Sequence, residues 1–161
     1  MTEKMPCRIN QRLHGTHERG ECDYMVRDIV RSETFLAEKS EIATKEDLSV
    51  ATDLLDTLKA YSHRCVGLAA NMIGVRKRII AIRMEDTYLV LLNPEILKKS
   101  ARTYRTAEGC LSLAGERETI RHDWIDVKFR DMEFKKQRQK FSGLAAQIIQ
   151  HEMDHCDGIL I

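Results

Sequence analysis

The sequence has no excess of charge of either sign. Its 26 lysines and arginines face 25 aspartates and glutamates, which leaves a net charge of +1. No global field therefore draws the chain to nucleic acid or to an anionic membrane, and we expect neither partner. With 43% apolar and 32% charged residues, the composition is that of an ordinary globular protein and argues against disorder and against a membrane-embedded chain.

A secretory signal is also absent, since no basic start followed by an apolar run precedes the cysteines. The 5 cysteines are odd in number and widely spread: Cys7, Cys22, Cys65, Cys110 and Cys156. This pattern favours a reducing cytoplasm as the location. In that compartment a cysteine near histidines is more often a metal ligand or a reactive thiol than half of a disulfide.

Internal repeats and low-complexity tracts are missing too, and 161 residues fit one domain with a real core. Residues 1–24 are polar and show neither helical nor strand periodicity. We predict that they form a leader that is poorly ordered or was added for expression, and that residues 25–161 form a single domain.

Several segments carry periodic patterns. Thr44 to Asp47 resembles a capping box, and apolar residues then recur at helical spacing up to about Ser62, which predicts one long N-terminal helix. Gly67 and Gly74 bracket a loop-like segment. The predicted strands are Arg78–Met84, Tyr88–Leu92, Thr119–Arg121, the alternating Ile125, Val127 and Phe129, and Phe134–Phe141, with a hairpin between the first two.

A closing helix is predicted from Gly143 to about Cys156, with Ser142 as N-cap and Gly158 placed to terminate it. Its apolar stripe continues into two histidines: Leu144, Ile148, His151 and His155. The fold class is therefore predicted as α+β, with antiparallel sheets packed around a central C-terminal helix that carries the histidines.

The histidines belong to an H-E-x-x-H motif, His151 to His155. Residues four apart on a helix point the same way, so both imidazoles can reach one metal ion, while Glu152 lies beside them to polarise a water. Catalytic sites of this kind usually have three protein ligands. Cys110, beside a glycine in Glu108-Gly-Cys-Leu-Ser112, is the best candidate for the third.

Three segments in fixed order resemble the signature motifs of peptide deformylases: Cys65 to Gly74, Glu108 to Ser112 and Gln150 to His155. The resemblance runs from about residue 25 to the C-terminus. It implies hydrolysis of the N-formyl group of N-terminal formylmethionine on newly made peptides, with release of formate. It also implies one divalent metal on Cys110, His151 and His155, Fe²⁺ in the cell, with Zn²⁺, Ni²⁺ or Co²⁺ able to occupy the site.

The resemblance further assigns roles within the site. Glu152 would take a proton from the water and pass it to the leaving amine, and the backbone N–H of Leu111 would donate to the oxyanion. Val66 and Gly67 would lie along the extended substrate, and Arg117 would lie near the peptide backbone. Gln150 and Asp154 are candidates for orienting the metal ligands.

Two positions depart from the family pattern. The first motif reads G-x-G-x-A-A-x-Q in active members, whereas Cys65 replaces the first glycine here and Met72 replaces the glutamine. A glutamine amide donates to the formyl oxygen and a thioether cannot, which predicts a slow enzyme. Ile161 ends the sequence three residues past Gly158. The ribosome is a possible partner, but we expect no C-terminal extension of the kind that docks some relatives on it.

Two alternatives remain open at this level. Met72 favours a catalytically weak or inactive deformylase-like protein that binds metal or formylated peptides, although the intact Glu152 argues against a purely structural metal. The H-E-x-x-H motif alone would also suit an endopeptidase whose third ligand precedes the helix, because only six residues follow His155.

Overall fold

The computed structural model describes residues 24–161, so the predicted leader lies outside the described residues except for Tyr24. The chain folds into a mixed α/β structure with antiparallel sheets and a C-terminal helix. The helices are α1 (Glu33–Leu36), α2 (Leu48–Ala60) and α3 (Gly143–Cys156). The strands are β1 (Gly67–Ala69), β2 (Ile79–Met84), β3 (Thr87–Lys99), β4 (Thr103–Gly109), β5 (Glu116–His122), β6 (Trp124–Arg130) and β7 (Lys136–Ser142).

Helix α2 begins after a capping turn. The backbone N–H of Thr44 donates to Asp47 Oδ2 at 2.8 Å, and a 3-10 turn over Lys45–Asp47 leads into the helix. One face then buries Ala51, Leu54 and Leu58 against the sheet. No helix in the described part of the chain combines the length and the apolar character that crossing a bilayer requires.

The strands form two antiparallel sheets. One has five strands in the order β1-β2-β3-β6-β7, and the other is the pair β4-β5. The predicted hairpin is present as β2 and β3, which turn through Glu85 at a φ of 53°. Within residues 24–161, strand β1 pairs only with β2, so no described strand lies along its other edge.

Three parts of the strand prediction are wrong. Strand β3 does not stop at Leu92, because a bulge at Asn93, with a φ of 52°, accommodates Pro94 and lets pairing continue. Strand β4 was missed because its residues are mostly polar and exposed. The segment between Gly67 and Gly74 is a short strand followed by a 3-10 turn over Ala70–Ile73, and all of these residues are buried.

Helix α3 lies in the centre of the molecule and packs against β1 and β2. Its inner residues include Ala146, Ile149 and Cys156, each fully buried. Leu144, predicted to begin the buried stripe, is 65% exposed instead. It lies in the first turn, before the helix passes beneath the sheet, and the stripe is buried only from Ile148 onward.

Gly158 ends this helix in the left-handed conformation, with a φ of +74°. Its N–H donates to His155 O at 3.1 Å, and the next N–H, that of Ile159, donates to Asp154 O at 2.9 Å. A Cβ at this glycine would lie 2.5 Å from the backbone oxygen of Ala37. Both the turn and the contact with residue 37 therefore require glycine.

We expect Gly158→Ala to lower the free energy of unfolding by about 2–4 kcal/mol, since it adds a steric clash to the left-handed penalty of about 1–2 kcal/mol. Gly143→Ala is the matched control. Its φ is +59° and nothing lies within 4 Å of the added Cβ, so only the conformational penalty applies. Urea unfolding of both variants at equal metal loading measures the difference. Equal losses would show that the contact with Ala37 is unimportant.

Candidate metal centre

Three side chains of types that commonly bind metal ions converge between β4 and α3. Cys110 follows the last residue of β4, and His151 and His155 lie one turn apart on α3. Cys110 Sγ is 3.4 Å from His155 Nε2, which is 3.2 Å from His151 Nε2. The three ligand atoms lie within 4.8 Å of one another. The spacing of four residues places both imidazoles on one face of α3, and the end of β4 brings the Cys110 thiol next to them.

This geometry fits a single divalent cation. Tetrahedral bonds of about 2.0–2.1 Å to nitrogen and about 2.3 Å to sulfur place such ligand atoms about 3.3–3.6 Å apart. The two observed distances, 3.2 and 3.4 Å, lie close to this range. Two imidazole nitrogens in such contact also need a proton or a cation between their lone pairs. The donor set of one sulfur and two nitrogens suits Fe²⁺, Zn²⁺, Ni²⁺ and Co²⁺ better than Mg²⁺ or Ca²⁺.

Hydrogen bonds around the ligands fix their orientation. Glu108 accepts from His151 Nδ1 at 2.9 Å, which leaves Nε2 of that ring free to face the other ligands. The Ser112 N–H donates to Cys110 Sγ at 3.4 Å. Burial, the largest influence, lowers the pKa of His155 to about 3, so its imidazole is neutral and able to bind a cation. Against the effect of burial, hydrogen bonds with Cys110 and Glu108 raise the pKa of His151 to about 10, so a cation that binds this imidazole must displace a proton.

Glu108 is the centre of a buried charge network. It accepts from Arg121 Nη2 at 2.6 Å and from Gln147 Nε2 at 2.9 Å, and Arg121 Nη1 also donates to Asp154 at 2.6 Å. Burial alone would raise the pKa of the Glu108 carboxyl. The hydrogen bonds from His151, Arg121 and Gln147 instead lower it to about 2, so the carboxylate is ionised.

Glu152 is buried beside the ligands and bonds to none of them. Its Oε2 has no hydrogen-bond partner among the described residues. Burial, the largest influence, raises the pKa of this carboxyl to about 7. A carboxyl group with a pKa near neutrality can take up and release a proton at working pH, which suits a general acid/base.

A cavity of about 590 Å³ opens from these groups to the surface. Seven of the predicted site residues line it: Val66, Gly67, Met72, Cys110, Leu111, His151 and Glu152. His155 lies behind the wall and is fully buried. The N–H of Leu111 makes no hydrogen bond within residues 24–161 and is free to donate. Arg117 does not line the cavity, and its guanidinium lies 3.8 Å from Glu33.

Met72 occupies the position where the family has glutamine. It is buried, it lines the cavity, and its Sδ accepts the N–H of Ala69 at 3.5 Å. The neighbouring amide of Asn71 is turned elsewhere, since its Nδ2 donates to His155 O at 2.9 Å. The 3-10 turn over Ala70–Ile73 directs this side chain to α3.

Two further residues of the first motif, Gly67 and Cys65, line the cavity. A Cβ on Gly67 would lie 2.7 Å from Ile148 Cγ2 and 2.8 Å from Glu152 Oε1. Close packing of β1 on α3 therefore requires this glycine. Cys65 lines the cavity beside it, and burial raises the pKa of its thiol to about 12, so it stays protonated.

Sequence reasoning assigned the supporting residues only in part. Asp154 acts through Arg121, as described above, but Gln150 contacts no ligand: it exchanges hydrogen bonds with the backbone of His122 on β5. Arg121 was missed altogether, and Glu108 was noted only as part of a motif. The charged Glu108 beside the candidate cysteine was the signal in the sequence. Arg121 has none, because only the folding of β5 over α3 brings it there.

Comparisons with known proteins agree on one family. The model of the family described as Polypeptide deformylase matches residues 27–161. A peptide deformylase of Clostridium beijerinckii is 52% identical over 137 residues, covering 85% of this chain and 100% of the relative. A peptide deformylase structure from Legionella pneumophila has a TM-score of 0.75 at 33% identity and covers 84% of this chain and 83% of that one.

A second solved structure carries a bound peptide. It is described as the Met-Ala-Ser-bound class I type b peptide deformylase of Acinetobacter baumannii. Its TM-score is 0.77 at 27% identity, with 84% of this chain and 97% of that chain covered. A third match, to a peptide deformylase structure from Thermotoga maritima, has a TM-score of 0.75 at 31% identity and covers 84% of this chain and 94% of that chain.

We expect Arg121→Ala to lower the free energy of unfolding by about 3–5 kcal/mol, because it leaves the buried charge of Glu108 without its main partner. Arg138→Ala is the control. It removes a similar two-pronged pair with Asp126 on the exposed face of β6 and β7, where solvent screens the charges, so its loss should be much smaller. Urea unfolding at equal metal loading compares the two. Similar losses would rule out a special role for the buried network.

Proposed function

The chain belongs to the polypeptide deformylase family and is a metal-dependent hydrolase that removes the N-formyl group from nascent peptides; on this premise we propose which of its residues do the work. Cys110, His151 and His155 hold one divalent cation, and Glu152 carries the proton. The single observation that carries this assignment is the convergence of the three ligand atoms within 4.8 Å of one another, beside a buried carboxyl group. The endopeptidase alternative has no support comparable to the family match.

The resident metal is proposed to be Fe²⁺ in the cell, with Zn²⁺, Ni²⁺ or Co²⁺ able to replace it. All four accept thiolate and imidazole ligands. The chemistry that such a cation supplies is Lewis acidity, which polarises a carbonyl oxygen and lowers the pKa of water. The orientation of His151 by Glu108 and the neutral state of His155 support binding of the cation by the chain as folded.

Glu152 moves the proton in both halves of the proposed reaction. As a carboxylate it accepts a proton from the water whose oxygen bonds to the formyl carbon. When the C–N bond breaks, the same carboxyl returns that proton to the amine nitrogen, so formate and a free N-terminus leave. Its pKa of about 7 and its unpaired Oε2 support this role, because neither direction of transfer is strongly uphill.

Backbone groups of the protein on two sides of the cavity, at β1 and at Leu111, are proposed to position the peptide. Gly67 on β1, and Val66 just before it, lie at an edge that no strand of residues 24–161 pairs, so an extended chain could add there as a further strand of the sheet. The unbonded N–H of Leu111 is the proposed donor to the developing oxyanion. Met-Ala-Ser, the peptide bound in the Acinetobacter baumannii structure, has the chemistry of a product of this reaction.

Replacement of Glu152 by Gln should abolish hydrolysis and leave metal binding intact. The amide has the same shape but cannot carry the proton, so kcat should fall by at least about 10²- to 10⁴-fold. Formate release and elemental analysis measure the two properties separately. Glu118→Gln changes the charge equally at an exposed position on β5 and should leave both unchanged. Loss of metal in Glu152→Gln would make this residue structural, and full activity would place the base elsewhere.

Met72→Gln should raise kcat for formyl-Met-Ala-Ser. A glutamine at this position can accept the Ala69 N–H through Oε1, as the sulfur does now, and present its Nε2 to the cavity as a new donor. One oxyanion donor is typically worth about 10²- to 10³-fold in kcat. Met72→Leu keeps the apolar shape without a donor and should give no gain. If wild type, glutamine and leucine proteins with the same metal release formate equally fast, the missing-donor explanation is wrong.

A further inference from the structure

The outer end of the cavity is basic. Its wall there contains His63 and Arg64, which follow α2, and Arg83 on β2. Both arginines lack an ion-pair partner within the described range. The carboxylates that line the same cavity, Glu108 and Glu152, lie at its inner end beside the metal ligands. The cavity is therefore acidic at the inner end, where the formyl group is proposed to be cleaved, and basic at the outer end, where the rest of the peptide would extend.

The wall between the two ends is continuous backbone. Gly67 lies against Glu152, since a Cβ there would be 2.8 Å from Oε1. One residue outward, Val66 O accepts the N–H of Arg83 at 2.8 Å. Cys65 and Arg64 follow and also line the cavity. An extended peptide advances about 3.3 Å per residue, so a chain that runs along this wall with its formyl end at Glu152 would bring its second and third residues toward these arginines.

Arg83 is half-buried, and a half-buried guanidinium usually has an anionic partner or acceptors for its five donors. The exposed Glu85 and Asp86 in the turn that follows β2 do not line the cavity. A carboxylate that enters with the peptide would fit this place, because guanidinium and carboxylate groups match in a two-pronged geometry.

We propose that Arg64 and Arg83 form a carboxylate-binding subsite, which makes this enzyme prefer formylated peptides that carry an acidic group at the second or third residue. The inference rests on the proposed placement of the peptide along β1. The carboxylate comes from an Asp or Glu side chain, or from the C-terminus of a short peptide. Each arginine should contribute about two- to five-fold in kcat/KM, the range of solvent-exposed charge pairs.

The first measurement compares amidated peptides on wild type with one metal: formyl-Met-Glu-Ser, formyl-Met-Gln-Ser and formyl-Met-Lys-Ser, with a second series that varies the third residue. We expect kcat/KM to fall from Glu to Gln to Lys in at least one series, by about 5- to 20-fold overall. The spread should shrink in high salt, which screens exposed charges. Formyl-Met-Ala-Ser with and without its C-terminal amide tests the terminal carboxylate as the source.

Charge reversal identifies the residues responsible. Arg83→Glu and Arg64→Glu should each reduce the preference for Glu over Lys, and the double variant should invert it. Arg102→Glu is the matched control, because this arginine is 86% exposed, pairs with Asp123 and does not line the cavity. The quantity compared in every variant is the ratio of kcat/KM for the Glu peptide to that for the Lys peptide. Partial loss of folded enzyme lowers both values equally and leaves this ratio unchanged.

Binding of the deformylated products distinguishes the proposed carboxylate-binding subsite from the proposed catalytic assignment. Met-Glu-Ser-amide should bind wild type more tightly than Met-Lys-Ser-amide in calorimetry, and the double variant should reverse the order. If this preference is found while no formylated peptide is cleaved, the subsite stands and the proposed catalytic assignment fails. If formylated peptides are cleaved but Glu, Gln and Lys give equal rates that the variants do not change, the subsite inference is overturned and the assignment stands.

Discussion

The buried carboxylate of Glu108 is the interaction on which the metal centre depends. It sits on β4, yet it orients His151 on α3 and binds Arg121 on β5. An ionised carboxylate in this interior is tolerated only because three donors surround it. Those same donors hold the β4-β5 hairpin against α3, which brings Cys110 to the two histidines. Stability and the geometry of the candidate metal centre therefore share one network.

The second organising feature is the close contact between β1 and α3. Gly67 permits it, since any side chain there would collide with Ile148 or Glu152. The contact buries Glu152 and so raises its pKa toward neutrality. It also places the proposed proton carrier next to the strand whose outer edge no other strand of residues 24–161 pairs, which is the edge proposed to receive the peptide.

Two residues that line the cavity, Met72 and Cys65, depart from the first family motif, and both departures have structural consequences. Met72 keeps the hydrogen bond that closes the 3-10 turn but offers no donor to the cavity. Cys65 adds a protonated thiol to the wall. Beyond them, the guanidinium groups of Arg64 and Arg83, which form no ion pair within residues 24–161, distinguish the outer wall from the acidic interior. The departures concern the proposed substrate contacts, whereas the proposed metal ligands follow the second and third motifs.

The sequence by itself predicted the candidate ligand set and located the two principal helices and most of the strands, because these depend on spacing along the chain. Histidines four apart share a helix face whatever surrounds them, and alternation at Ile125, Val127 and Phe129 marks a strand locally. Only the tertiary structure decided the pairing of Arg121 with Glu108, the exposure of Leu144, the bulge that carries β3 past Pro94 and the grouping of Arg64 with Arg83. Each of these depends on which elements pack together, and no local pattern in the sequence encodes that.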